Sequence, residues 1–234
     1  MIEEQTFEEE NTARIKEIFA SIQGEGLYIG AKQLFIRFCD CNLRCHYCDT
    51  DFENDSEEYT IERVMGMIKQ FDLRTIHSVS LTGGEPLLSI SFLQKLLPVL
   101  KENNLKVYLE TNATLPEELS KIIDYIDFVA ADIKLESATG MMSSFDLHAQ
   151  FFDICKNHSC FAKIVFDENI TDEEIEKCIE LGKKYNLLLI LQPKMQDDKM
   201  AITSVFAVKI LDKFLKKYNS VRLIPQVHKF LSVR

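Results

Sequence analysis

Four of the seven cysteines in this chain fall between residues 39 and 48, and three of them, Cys41, Cys45 and Cys48, are spaced C-x3-C-x2-C. That spacing lets three thiolates of one loop converge on a compact centre. Two metal chemistries compete for such a loop. A structural zinc site is closed by four ligands, commonly from paired C-x2-C units far apart, and no second pair follows here. An iron-sulfur cube held by three thiolates leaves one iron without a protein ligand, open to a small molecule, whereas the four-thiolate ferredoxin spacings do not fit. Cys39 stands two residues before Cys41 at the end of an apolar run, where an extended chain would send both side chains the same way. It is read as a bystander. Cys155, Cys160 and Cys178 are scattered and read as small buried hydrophobes.

The other polar clusters each close an apolar run: TGGEP at 82–86, ETN at 110–112, DIK at 132–134 and LQP at 191–193. Paired glycines let a backbone approach a ligand closely, and a carboxylate such as Glu85 accepts from an ammonium group. Asp132 and Lys134 serve equally as ligand contacts or as a buried ion pair between strands. In FASIQGEG, residues 19–26, the glycines flank Glu25 in what reads as a tight, exposed turn.

Short apolar runs alternate with amphipathic segments along most of the chain. Strands are expected at 33–38, 78–82, 106–110, 128–134, 161–166, 187–192 and 221–225. Helices are expected at 60–71, with Thr60 as cap, and at 91–103, 116–125, 144–156, 172–185 and 201–218. This alternation predicts an α/β protein of parallel strands joined by helical crossovers, both sheet faces covered. Six such units are too few for an eight-stranded barrel, which leaves a partial barrel or an open doubly wound sheet; in either, function sits at the C-terminal strand ends. Residues 54–60 and 193–200 read as solvated loops. With 234 residues, 46% hydrophobic and 27% charged, the chain suits one globular domain. A net charge of −10 argues against nucleic acid or an anionic membrane as partner. The opening MIEEQTFEEE lacks the basic start and apolar core of a secretion signal, and no stretch approaches the ~20 apolar residues of a membrane span. A cytoplasmic protein with reduced thiols is expected.

The C-x3-C-x2-C loop after a first strand, with Tyr47 before the last cysteine and GGEP after the next strand, resembles the radical S-adenosylmethionine superfamily. SIQGEG, Arg37, CDT at 48–50, ETN and the terminal RLIPQVHKFL extend the resemblance, nearly end to end, to the 7-carboxy-7-deazaguanine synthase family. The resemblance implies a partial (β/α)6-type TIM barrel with short terminal extensions, a single domain over 1–234 with its core at about 17–225. It implies a [4Fe-4S] cluster on Cys41, Cys45 and Cys48, with S-adenosylmethionine on the open iron as the source of a 5'-deoxyadenosyl radical. It implies a lyase that contracts the ring of 6-carboxy-5,6,7,8-tetrahydropterin, starting with hydrogen abstraction at C6, to 7-carboxy-7-deazaguanine with loss of ammonia, for queuosine and related 7-deazapurines.

The same resemblance assigns S-adenosylmethionine to Tyr47, Cys48, Asp49, Gly84, Glu85, Asp132, Ile133, Lys134 and Gln192, and the pterin to Ile22, Gln23, Gly24, Glu25, Arg37, Thr82 and His228. Thr50 would hold Mg2+. No protein acid or base is assigned. A homodimer and a reductant such as flavodoxin or ferredoxin are implied. Ala113 stands where a glycine often follows ETN. The rival readings are an activating enzyme for a glycyl-radical protein, which shares the thiol and GGEP motifs but consumes S-adenosylmethionine on a protein partner, and a non-catalytic zinc-binding module.

Overall fold

The structure, a computed structural model, describes residues 12–48 and 57–233. Its strands in chain order are β1 (Thr12–Ile22), β2 (Lys32–Phe38), β3 (Glu57–Thr60), β4 (Ser78–Gly83), β5 (Val107–Thr111), β6 (Phe128–Asp132), β7 (Cys160–Phe166), β8 (Leu188–Pro193), β9 (Met195–Gln196), β10 (Lys199–Met200) and β11 (Val221–Leu223). The helices are α1 (Ile61–Ile68), α2 (Ile90–Glu102), α3 (Pro116–Ser120), α4 (Glu136–Thr139), α5 (Phe145–Cys155), α6 (Asp172–Tyr185), α7 (Ser204–Leu215) and α8 (Val227–Leu231). Among the described residues one nine-stranded sheet runs β11-β8-β7-β6-β5-β4-β2-β1-β3. From β2 to β11 every pairing is parallel and the order follows the chain. A doubly wound sheet reverses its order at a switch point; this one does not, so it follows the partial-barrel alternative.

Alternation along each parallel strand divides the residues between two environments. Leu34, Ile36, Val79, Leu81, Val107, Leu109, Val129, Ala162, Ile164, Leu189 and Leu191 are fully buried in the main core with the helices. The intervening residues form the other face. There Tyr108, Ala130, Phe161 and Ile190 make a small apolar layer with Tyr28 packed on it, and the residues one step nearer the C-terminal strand ends are polar.

The helices start where their caps dictate. Thr60 Oγ1 accepts from the Arg63 amide at 3.3 Å, and Thr171 and Glu174 form a reciprocal capping box at the head of α6. The longest strand, β1, lies where a strand was not expected, and a β-bulge explains why. Ala13 and Ile15 face the core before it, Ile18 after it, so the period of two is broken midway. Residues 57–60 pair with β1 as an edge strand, and 195–200 form a two-stranded ribbon, where solvated loops were expected. Cys155 and Cys178 are buried as expected, and Cys160 is half-buried. No described helix is long and apolar enough to cross a membrane.

Candidate active site

At the C-terminal ends of the parallel strands lies a cavity of about 250 Å³. Each strand contributes the polar residue that alternation places on its inner face: Arg37 from β2, Thr82 from β4, Glu110 from β5, Asp132 from β6, Lys163 from β7 and Gln192 from β8. Register sets them side by side, Arg37 opposite Thr82 and Asp132 opposite Lys163.

Cys41, Cys45 and Cys48 all line this cavity. Cys39 does not. β2 ends at Phe38, the extended geometry stops there, and Cys39 turns into the interior at 2% exposure. Burial raises the pKa of Cys41 and Cys45, so a cation or cluster is needed to hold them as thiolates. The loop is braced from two sides. The His46 amide donates to Thr139 O at 3.0 Å, and Asn112 donates to Asn42 Oδ1 at 2.7 Å. Three thiols on a cavity without a fourth fit a cube with one open iron better than a closed four-ligand ion.

The GGEP turn presses against the stem of this loop. The Gly84 amide donates to Phe38 O at 2.9 Å and the Glu85 amide to Asp40 O at 2.6 Å. A Cβ on Gly84 would sit 2.1 Å from Asp40 O, and Gly83 adopts φ +113°, so both positions require glycine. Glu85 departs from expectation. Its side chain is fully buried behind the cavity, where its oxygens accept from Leu87 N at 3.1 Å, Thr111 Oγ1 at 2.9 Å and Asn112 N at 2.7 Å. Burial lifts its pKa to about 7 despite these donors. It ties the β4 and β5 ends together and does not line the cavity. Ile133, 1% exposed, also lies behind the cavity. Asp49 and Thr50 fall outside the described residues.

Lys134 donates to Asp132 Oδ2 at 2.9 Å and to Tyr47 OH at 3.2 Å, and the two residues of this ion pair both line the cavity. Burial opposes the Lys134 charge, yet Asp132 and Tyr47 hold its pKa well above the usual lysine range. Behind the DIK and ETNA turns lies His148, with no exposure at all. Its Nε2 accepts from the Lys134 amide at 3.1 Å and its Nδ1 lies 3.1 Å from Ala113 O, which fixes the neutral tautomer. Ala113 adopts the left-handed φ of +56° that glycine would adopt without strain.

The 23–26 turn is folded inward, contrary to the exposed turn expected, and Gln23 is 2% exposed. Gln23 Nε2 donates to Glu110 Oε1 at 2.7 Å and to Gln33 Oε1 at 2.9 Å. Glu25 accepts from Lys163 and from Gln226 at 2.5 Å each. The 226–229 segment lies over this turn, its Val227 amide donating to Gly24 O at 2.9 Å. Ile22, Gln23, Gly24, Glu25 and His228 therefore share the cavity with Arg37 and Thr82. Arg37 is held 3.0 Å from Glu17, with its guanidinium over the Phe19 ring.

Glu110, Lys163, Gln226 and Lys194 also line the cavity without having been assigned to it. Glu110 carried a signal, since ETN closes a strand. Lys163 carried a weak one, a lone cation in an apolar strand.

Thiol loop, glycine turn and parallel half-barrel define a class, and a family model described as the Radical SAM superfamily matches residues 35–182. The 7-carboxy-7-deazaguanine synthase of Geobacter sulfurreducens is 37% identical over 94% of this chain and 97% of its own length. That of Archaeoglobus fulgidus is 36% identical over 95% and 99%. The crystal structure of QueE from Escherichia coli shares the fold, with a TM-score of 0.66 at 20% identity over 93% of this chain and 95% of that one. The chain belongs to the radical SAM superfamily and, within it, to the 7-carboxy-7-deazaguanine synthase family.

Proposed function

We propose that the chain catalyses the radical ring contraction of 6-carboxy-5,6,7,8-tetrahydropterin to 7-carboxy-7-deazaguanine with loss of ammonia, as a lyase of queuosine biosynthesis. One observation carries the reading: a single cavity is lined both by the three thiols and by the inward-folded SIQGEG turn with Arg37, Thr82 and His228. When bound, the cluster and S-adenosylmethionine supply a carbon-centred radical able to take hydrogen from unactivated carbon.

The chain's own residues bind and orient. The Arg37 guanidinium, steadied by Glu17 and Phe19, matches the pterin carboxylate in fork geometry. Gln23 and Glu25 offer hydrogen-bonding groups to the pterin edge, and Thr82 a hydroxyl. Tyr47, Gly84, Asp132, Lys134 and Gln192 surround the S-adenosylmethionine side. The buried carbonyl Oε1 of Gln192 makes no hydrogen bond within the protein, which suits a ligand donor there.

Mg2+ on Thr50 fits the preference of that ion for hard oxygen ligands. A flavodoxin- or ferredoxin-type reductant, a homodimer and a cytoplasmic setting complete the reading.

The test is anaerobic reconstitution with iron and sulfide, followed by dithionite, S-adenosylmethionine, Mg2+ and the pterin. 7-Carboxy-7-deazaguanine is the expected product by mass spectrometry. Cleavage of S-adenosylmethionine without that product would retain the radical chemistry and reject the substrate, and a colourless, iron-free protein would reject both.

A further inference from the structure

Lys163 stands on the inner face of β7 between the apolar Phe161 and Val165, with its side chain 5% exposed. Its ammonium lies 2.5 Å from Glu25 Oε2 and 3.2 Å from Asp132 Oδ1. Glu110, on the inner face of β5 two strands away, acts on it electrostatically as a third carboxylate. One buried cation thus contacts two carboxylates from separate segments, the turn after β1 and strand β6, within the field of a third on β5. Carboxylates crowded in a buried space do not all stay ionised without a cation among them.

We propose that Lys163 is a positioning residue that couples the two halves of the site, holding the Glu25 turn on the pterin side in register with Asp132 on the S-adenosylmethionine side. The inference rests on the ring-contraction reading above, which assigns those two sides. Electrostatics agrees with the geometry. Burial acts to raise the pKa of Glu25, but Lys163 on β7, with Gln226 and His228 from the C-terminal segment, takes it down to about 2. Glu110 from β5 faces it with the opposite effect, and its own pKa is raised by burial. Lys163 is held well above the usual lysine range, chiefly by Asp132 and Glu25 against the cost of burial, so it stays an ammonium at any working pH. Removing it leaves Glu25 with the Gln226 amide and His228 from the C-terminal segment as partners and without its ion pair.

The experiment compares wild type, Lys163→Met, Lys163→Arg, Glu25→Gln and the Lys163→Met/Glu25→Gln double variant as reconstituted holoenzymes. Binding of 6-carboxypterin, a fluorescent oxidised relative of the substrate, is followed by fluorescence. S-adenosylmethionine binding is followed by equilibrium dialysis, both across neutral pH. Lys163→Met is expected to weaken both ligands by roughly tenfold or more, because an unpaired buried charge remains. Its affinities should also acquire a titration beyond those of wild type, and Lys163→Arg should abolish that added titration. Glu25→Gln should shift S-adenosylmethionine affinity in the presence of Lys163 and leave it unchanged in its absence.

A Lys163→Met protein with lowered melting temperature but wild-type affinities and pH profiles would overturn the inference and leave the ring-contraction reading intact. If Lys163→Met does not fold, Lys163→Gln carries the same comparison. Wild type that turns over no pterin would instead sink the reading beneath, while the effect of Glu25→Gln on S-adenosylmethionine would still decide whether Lys163 couples the two segments.

Discussion

Arg37 and the three thiols make the sharpest demands on single side chains. A lysine at 37 keeps the charge and loses the fork, the stacking on Phe19 and the second hydrogen bond to a carboxylate. Arg37→Lys is therefore expected to raise the pterin KM by roughly tenfold with a smaller change in kcat, read from steady-state kinetics. Replacing Cys41, Cys45 or Cys48 by alanine is expected to remove bound iron and all turnover, measured by iron and sulfide content. These residues were legible because their types are rare and their spacing is specific. Lys163 was not, because a lysine in FAKIVF gains its meaning only from Glu25 and Asp132, 138 residues earlier and on the adjacent strand.

The strand-to-helix turns do the work of holding these groups, and two glycines test that claim in opposite directions. Gly84 lies against the Asp40 carbonyl, so Gly84→Ala forces the β4 turn away from the thiol stem. The expected result is a reconstituted protein with less iron and little activity. Gly66 sits in the exposed middle of α1 with nothing within 4 Å of an added Cβ. Gly66→Ala should raise stability by about 1 kcal/mol in urea unfolding, since alanine is the better helix former, and leave activity unchanged. Most helix and strand positions were legible because period and caps agree locally, as at Thr60 and Thr171. β1 was not, because its bulge breaks the alternation and because its pairing to β3 is nonlocal.

Over the whole molecule, acid stability follows from His148. Burial holds its folded pKa down at about 4, against 6.5 when unfolded. Between these values the unfolded chain binds the proton and the folded one does not, so this contribution is complete above about pH 6.5 and declines as pH falls toward 4. The shift corresponds to roughly 3 kcal/mol at its limit. Urea midpoints measured from neutral to acid pH should fall across this window in wild type, and less steeply in His148→Gln.

The amino-acid sequence by itself determined the class of fold, the three-thiol loop and most of the residues that meet in the cavity, since parallel-strand alternation and motif order are local properties. The tertiary structure decided the rest. It turned the SIQGEG segment inward under residues 226–229, withdrew Glu85 behind the cavity and sent Cys39 into the interior. It also set Lys163 among three carboxylates. Each of these outcomes depends on which segments become neighbours when the sheet orders itself, and that proximity is a property of the packed chain, not of any stretch along it.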